Sequence, residues 1–184
     1  MGKNNYIRTR QQNKQDTRRM QDKDTTTVRS AEIEEVTEAT AALAADIDAL
    51  IGQLSSTPHK FTIDTLRSIV GEEHTHLYVA TVDNQTAGMA TVAFYTSPTG
   101  RKAWIEDVVV DSRFRGMKIG KQLVDYAIRC AKNYGPCSIA LTSRPSRIAA
   151  NALYRSSGFL TKETNVYKMN IKESATHSWR RRNT

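Results

Sequence analysis

The sequence is poor in cysteine and has no long apolar run. Its 184 residues include two cysteines, Cys130 and Cys137, and neither has neighbours at the spacing of a metal site. We therefore expect two reduced, packed thiols, with no disulfide framework and no metal centre. No apolar segment approaches the ~20 residues that cross a bilayer, and the N-terminus shows no apolar segment of the secretory kind. These absences predict a soluble, cytoplasmic protein.

The excess of positive charge is confined to the two ends of the chain. The formal net charge is +8, yet residues 31–170 carry 15 Lys and Arg against 15 Asp and Glu. This balance argues against a basic nucleic-acid-binding surface, so nucleic acid would be attracted only through the ends. We expect a disordered basic tail over residues 1–25, one folded domain over 26–172 and a basic tail over 173–184.

Apolar periodicity within the domain indicates both helices and strands. Helical spacing is found at residues 31–54 (as two pieces), 61–70, 119–134 and in a short helix from Ser146. Strand patterns, with a loop at residues 96–102 and a bulge or close approach at Gly88, are found at residues 26–29, 77–82, 87–95, 103–110, 137–143 and 165–171. This order predicts an α/β domain with a mixed sheet.

The most informative segment is residues 115–120, Arg-Gly-Met-Lys-Ile-Gly, between a predicted strand and a predicted helix. A turn of this kind directs unpaired backbone N–H groups outward, where the helix dipole favours phosphate oxygens. Gly116 and Gly120 would let an anion approach the main chain and would tolerate a positive φ. The segment therefore predicts a phosphate site, although such turns also occur as simple tight connections.

A second segment, residues 147–159, combines a short helix with a glycine at its end. Ile148, Ala152 and Leu153 form one apolar stripe, and Gly158 is a predicted C-terminal cap before Phe159. A tyrosine on a short helix is more often a packing residue than a catalytic one. A catalytic role for Tyr154 is what the resemblance of this segment to a known family implies.

Together with the strand at residues 105–111, these two segments resemble the GNAT superfamily of N-acetyltransferases. In that superfamily an Arg/Gln-x-x-Gly-x-Gly/Ala pattern binds the pyrophosphate of acetyl-CoA, and a Leu-Tyr-x-x-x-Gly-Phe segment places a tyrosine near the thioester sulfur. The resemblance covers residues 75–171 and implies a mixed, mostly antiparallel central sheet flanked by helices. The chain departs from the pattern at Lys118, which replaces the middle glycine, keeps the backbone N–H and adds a cation.

The resemblance also implies which residues bind acetyl-CoA. Backbone groups of a valine run would pair with the pantetheine arm like an added strand, and one N–H would face the thioester carbonyl. The glycine-bearing turn would hold the phosphates. The implied cofactor-binding residues are Val108, Val109, Val110, Arg115, Gly116, Met117, Lys118, Ile119, Gly120, Lys121 and Asn151.

Three residues are the predicted catalytic groups: Tyr154, Glu106 and Asp107. The phenol of Tyr154 would protonate the departing thiolate. An alkylamine has a pKa of ~10.4, so a base must remove its proton at neutral pH. Glu106 and Asp107 are consecutive in a strand, and alternation predicts that they point to opposite faces. Because the superfamily often uses a carboxylate in this strand, we favour Glu106 as the base, with Asp107 as a substrate ligand or as a partner of the base.

The amine acceptor stays open. The subgroup that acetylates ribosomal-protein N-termini has a Glu where this chain has Thr142 and an Asn where it has Arg147, so that subgroup is a poor match. The run at residues 106–110 resembles glucosamine-phosphate N-acetyltransferases, but residues 141–147 do not clearly provide their sugar-phosphate site. A charge of −8 over residues 31–107 suits a cationic amine, and +8 over residues 108–170 suits a cosubstrate with phosphates.

Two classes of function follow. The first is an N-acetyltransferase that transfers acetyl from acetyl-CoA to a primary amine of a small molecule or protein. The second is an acyl-CoA-binding, nucleic-acid-binding or partner-binding protein that acts through its basic tails. No membrane partner is expected, and a homodimer is left open. Amine-dependent release of CoA would favour the first class, and salt-dependent DNA binding by the tailless domain would favour the second.

Overall fold

Five strands pair side by side into one sheet in the order in which they occur in the chain. The computed structural model describes residues 31–55 and 60–171. The strands are β1 Glu32–Glu35, β2 Thr75–Val82, β3 Gln85–Ser97, β4 Gly100–Val110 and β5 Ser138–Leu141. Neighbouring strands are antiparallel except β4 and β5, which are parallel. The predicted fold, a mixed and mostly antiparallel sheet with flanking helices, is confirmed.

Helices cover both faces of the sheet. They are α1 Ala41–Leu54, α2 Ile63–Val70, α3 Ile119–Tyr134 and α4 Ile148–Ser156. On one face, Ile47 and Leu50 of α1 and Leu66 of α2 are at most 1% exposed. They pack in one cluster with Leu77 and Val79 of β2, Met89 of β3 and Val109 of β4. On the other face, Leu123 and Ala127 of α3 are fully buried against sheet residues that include Ala80 and Val92. Each such large apolar side chain stabilises the fold by roughly 1.5–3 kcal/mol, so the two cores fix the helices against the sheet.

The start of the domain differs from the prediction. Residues 31–54 form one strand and one helix instead of two helical pieces, because Ile33 and Val36 have helical spacing but belong to an edge strand and its extension. The helix begins only after Thr40, whose hydroxyl accepts a hydrogen bond of 3.2 Å from the Leu43 N–H. The predicted strand at residues 26–29 lies outside the described residues.

Two further predictions are wrong, one for the segment just before β4 and one for the last described residues of the chain. The predicted loop at residues 96–102 is a tight turn at Pro98 and Thr99, which lets β3 and β4 pair directly from Ser97 and Gly100. The predicted final strand at residues 165–171 has no regular secondary structure, and Tyr167 is 89% exposed. Its apolar residues alternate as in a strand, but a strand also needs a hydrogen-bonded neighbour, and the described residues offer this segment none.

The β2–β3 hairpin is confirmed, including the irregularity at Gly88. The register shifts opposite this glycine, between Ala80 and Thr81. A Cβ at Gly88 would lie 2.7 Å from the carbonyl oxygen of Val109. Gly88 therefore permits a close approach of β3 to the end of β4, where the candidate site begins.

Candidate active site

The candidate site is the gap that opens between the two parallel strands. The β4–β5 register ends with the pair Ile105 and Leu141, and no later residues of the two strands are paired. A cavity of about 420 Å³ begins there, within the usual range for small-molecule sites. Its lining residues are Leu54, Ser55, Ile105, Glu106, Asp107, Val108, Leu141, Thr142, Ser143, Arg144, Arg147, Tyr154 and Val166.

A β-bulge at the start of this gap redirects β4. Thr91 pairs with Glu106 and Met89 pairs with Val109, so two residues of β4 oppose one residue of β3. Asp107 has a φ of 51°, a left-handed conformation that Asp tolerates better than most residues. The extra residue reverses the alternation: Val109 packs on the α1 side of the sheet, whereas Ile105 packs on the α3 side. Glu106 and Asp107 both line the cavity, so one site can use both residues. That their side chains point to opposite faces stays a prediction, because Ile105 and Leu54, which pack on opposite faces of the sheet, line the same cavity.

The Glu106 carboxylate is held by a neighbour on the same strand. The indole Nε1 of Trp104 donates to Glu106 Oε1 over 2.6 Å. The two residues are two positions apart before the bulge and so share one face of β4. The hydrogen bond fixes the direction of the carboxylate, and Trp104 is thus a positioning residue.

Tyr154 reaches the same cavity from α4. Burial raises the pKa of its phenol above the ordinary value, and the positive charge of Arg147 offsets part of that rise. At neutral pH the phenol is protonated, as an ordinary phenol also is, and this is the form that a proton donor needs. The ring of Phe159 contacts the Tyr154 ring edge to face at 6.2 Å between centroids, so the residue after the Gly158 turn helps to hold it.

The turn between β4 and α3 presents an uninterrupted row of backbone donors. No hydrogen bond within the described part of the chain uses the N–H groups of residues 116–121, and the first helical bond of α3 runs from Gln122 N to Lys118 O. Gly116 has a φ of 85° and Lys118 a φ of 57°, and such left-handed residues curve successive N–H groups into an anion-binding concavity. This row and the helix dipole together suit phosphate oxygens.

The start of this turn is fixed by a buried carboxylate. Asp111 accepts hydrogen bonds from the backbone N–H of Arg113 at 2.8 Å and from its guanidinium at 3.0 and 3.1 Å. These hydrogen bonds lower the pKa of Asp111 to about 2, so the carboxylate stays charged at neutral pH. The direction in which the chain leaves β4 is thereby set before the row of donors begins.

The comparison with protein families agrees with this architecture. The model of the acetyltransferase (GNAT) family matches residues 24–159, which is most of the chain. The chain belongs to the GNAT acetyltransferase family. The protein is accordingly an acyltransferase enzyme, and the comparisons give no support to the second class, a protein that acts by binding through its basic tails.

One relative agrees with the family, and two solved structures share the fold. The chain is 30% identical over 105 residues to an Arabidopsis thaliana protein named glucosamine 6-phosphate N-acetyltransferase, covering 50% of this chain and 68% of the relative. A Bacillus halodurans C-125 protein named a transcriptional regulator is 28% identical, with a TM-score of 0.62 over 77% of this chain and 99% of that one. The aminoglycoside N-acetyltransferase AAC(6')-Iy in complex with CoA shares the fold at 18% identity, with a TM-score of 0.60 over 77% and 97%.

The structure separates the predicted GNAT site residues into two groups. Glu106, Asp107, Val108 and Tyr154 line the cavity, whereas residues 115–121 form the end of the β4–α3 turn and the first residues of α3. Within the described ranges, no cluster of His, Cys, Asp or Glu could hold a metal ion, and no helix is long and apolar enough to cross a membrane.

Several predicted cofactor-binding side chains have structural partners. The Asn151 amide donates to the carbonyl oxygen of Arg144 at 2.9 Å, and the Lys121 ammonium pairs with Asp125 at 2.8 Å. The side chain of Ile119 is buried in the core, so only its backbone faces the turn. A Cβ at Gly120 would lie 3.1 Å from Leu153 Cδ1, so this glycine makes room for α4 as well as for a ligand.

Four residues that line the cavity or orient a residue in it were not predicted from the sequence. Arg144 and Arg147 line the cavity, Trp104 orients Glu106, and the hydroxyl of Ser143 is buried with no hydrogen-bond partner among residues 31–55 and 60–171. The Trp104 contact could have been found from its two-residue offset within one strand. No sequence pattern placed the two arginines in the cavity, because their position depends on the path of the segment that connects β5 to α4.

The left-handed Lys118 explains why the family pattern has a glycine there. A left-handed conformation costs an L-residue roughly 1–2 kcal/mol, partly offset in glycine by its larger entropy loss on folding. We expect Lys118→Gly to raise the free energy of unfolding by up to about 1 kcal/mol in urea denaturation. Lys132→Gly, the same exchange inside α3, should instead lower it by about 1 kcal/mol. A destabilised Lys118→Gly would contradict the left-handed turn.

Proposed function

We propose that the protein transfers the acetyl group of acetyl-CoA to a primary amine of a small molecule. The observation that carries this proposal is the cavity between β4 and β5, which is lined by both Glu106 and Tyr154, in a chain whose β4–α3 turn has free backbone donors. A cavity of this size suits a small amine beside the end of an extended thioester.

The cosubstrate fits the residues that the turn and the strand present. The free N–H groups of residues 116–121 would hold its phosphates, with the cations of Arg115 and Lys118 nearby. The backbone of Val108 to Val110, beyond the last β4–β5 pair, would hold its amide-bearing arm in the manner of an added strand. Acetyl-CoA supplies an acetyl group activated as a thioester.

Residues that line the cavity would accept and donate the protons of the reaction. Glu106, held by Trp104, would accept a proton from the bound ammonium and release the nucleophilic amine. Asp107 would contact the same ammonium from the bulge. Tyr154 would give a proton to the thiolate as the carbon–sulfur bond breaks, which prevents the thiolate from attacking the product. The overall reaction converts an amine and the thioester to an amide and a free thiol.

A thiol-release assay tests the proposal directly. The full chain is incubated with acetyl-CoA and single primary amines, including amino sugars, polyamines and lysine peptides, and the acceptor is weighed by mass spectrometry. We expect at least one small amine to accelerate CoA release above hydrolysis and to gain one acetyl group. Release that no amine accelerates, by a chain shown to bind acetyl-CoA, would reduce the protein to a binder.

A further inference from the structure

Two arginines form part of the cavity wall on the β5 side. Arg144 and Arg147 lie in the segment between β5 and α4, and both line the cavity that also contains Glu106 and Asp107. The two carboxylates come from β4, on the other side of the gap. One small cavity is thus lined by two cationic and two anionic side chains.

These four charges do not neutralise one another. The ion pairs among the described residues join Arg67 to Asp64, His76 to Glu35, Arg113 to Asp111 and Lys121 to Asp125. None of the four cavity charges takes part in them. Each charge is therefore available to a ligand that brings the opposite charge to it.

Hydrogen bonds hold the side chain of Arg147 and the backbone of Arg144. Arg147 donates from Nη2 to the carbonyl oxygen of Leu54 at the end of α1 over 2.8 Å, which fixes its direction and leaves its other donors free. The backbone of Arg144 is held by the Asn151 amide at 2.9 Å. Guanidinium groups favour planar contacts with phosphate or carboxylate oxygens through two hydrogen bonds, and that of Arg147 is already oriented by its bond to Leu54.

The phosphates of the cosubstrate do not need these arginines. The turn at residues 116–121 has its own unused N–H groups, and none of its residues lines the cavity. A polycationic amine would also fit poorly, because it would bring positive charge against two guanidinium groups. The cavity is complementary to a ligand with one cationic and one anionic group.

We propose that the acceptor is a small amine that also carries a phosphate or carboxylate group, and that Arg144 and Arg147 bind this anionic group while Glu106 and Asp107 receive the amine. This inference rests on the proposed function, whose acceptor it narrows from primary amines in general to amines with an oxyanion. A cavity of about 420 Å³ suits acceptors that are small molecules.

Matched acceptor pairs test the inference. Steady-state kinetics compare glucosamine 6-phosphate with glucosamine, phosphoethanolamine with ethanolamine, and glycine with glycinamide, with kanamycin as the polycation. We expect kcat/KM to be at least ~10-fold higher for the anionic member of a productive pair, as charge-assisted hydrogen bonds give. Preference for neutral amines or for kanamycin would overturn the inference and leave the proposed function standing.

Variants assign the preference to the arginines. Arg144→Gln and Arg147→Gln should raise KM for the anionic acceptor ~10-fold or more and leave KM for its neutral counterpart and for acetyl-CoA unchanged. Arg67→Gln removes an exposed guanidinium on α2, outside the cavity, and should change none of them. A raised KM for acetyl-CoA in the first two variants would assign the arginines to the cosubstrate and overturn the inference.

A binding measurement separates this site from turnover. Inorganic phosphate is titrated calorimetrically into the full chain saturated with CoA, so that the turn at residues 116–121 is already filled. We expect binding to the wild type and loss of binding in the Arg144→Gln/Arg147→Gln double variant. If the chain binds phosphate in this way but acetylates no amine, the anion site would be supported and the proposed function would be contradicted. Phosphate binding that is absent, or unchanged in the double variant, would overturn the inference.

Discussion

Tyr154→Phe should lower kcat by about 10², with a much smaller change in KM for acetyl-CoA. The expected loss is the lower part of what positioned proton transfer contributes, and it acts mainly in the transition state. Because burial raises the pKa of Tyr154, loss of wild-type activity through phenol ionisation should begin at a higher pH than an ordinary phenol of pKa ~10 would give. Steady-state rates at saturating acetyl-CoA and a pH profile of kcat measure both effects.

The matched control for this variant is Tyr95→Phe. Tyr95 lies on β3, is 48% exposed and does not line the cavity, so removal of its hydroxyl should leave kcat unchanged. A loss of less than about threefold in Tyr154→Phe, or an equal loss in the two variants, would make Tyr154 a packing residue that supports Phe159.

Glu106→Gln should produce a loss of activity that grows as the pH falls. Without a base, only the neutral fraction of the amine reacts, and this fraction drops about tenfold for each pH unit below an amine pKa of ~10.4. The wild type removes that proton in the site and should show a flatter profile. We expect a loss of about 10² near pH 7 that an alkaline buffer partly restores, measured as kcat/KM for the amine between pH 6 and 9.

Asp107→Asn tests whether the base is assigned to the correct carboxylate. Both side chains line the cavity, but only Glu106 is oriented by the Trp104 indole. Asp107→Asn should raise KM for the amine and keep the pH profile of the wild type. A pH profile of Glu106→Gln that runs parallel to the wild type, with a steeper one in Asp107→Asn, would exchange the two roles.

The sequence was sufficient where a local pattern and its tertiary role coincide. Helix α3 was predicted with the bounds that the structure shows, because its apolar face has helical spacing and a glycine-bearing turn precedes it. The first strand was missed for the opposite reason. Only Ile33 in its four residues packs on the core, and an edge strand with three glutamates lacks the apolar alternation of an inner strand.

The candidate site was predictable in its residues but not in its geometry. Tyr154 and Glu106 follow from the family pattern, and both line one cavity. The bulge at Asp107 was not visible, because alternation assumes one partner for every residue and nothing local to β4 reveals that Ala90 opposes two. The arginine-bearing wall depends on the path from β5 to α4, which is set by contacts with residues as distant as Leu54.

The most direct test of the central claim is a crystal structure of the full chain with CoA. Our account predicts the phosphates on the N–H groups of residues 116–121 and the sulfur in the gap between β4 and β5, about 3–4 Å from the hydroxyl oxygen of Tyr154. The sulfur position relative to this oxygen is the decisive measurement. CoA bound outside the gap, or a sulfur too far from Tyr154 to receive its proton directly or through one water, would contradict the account.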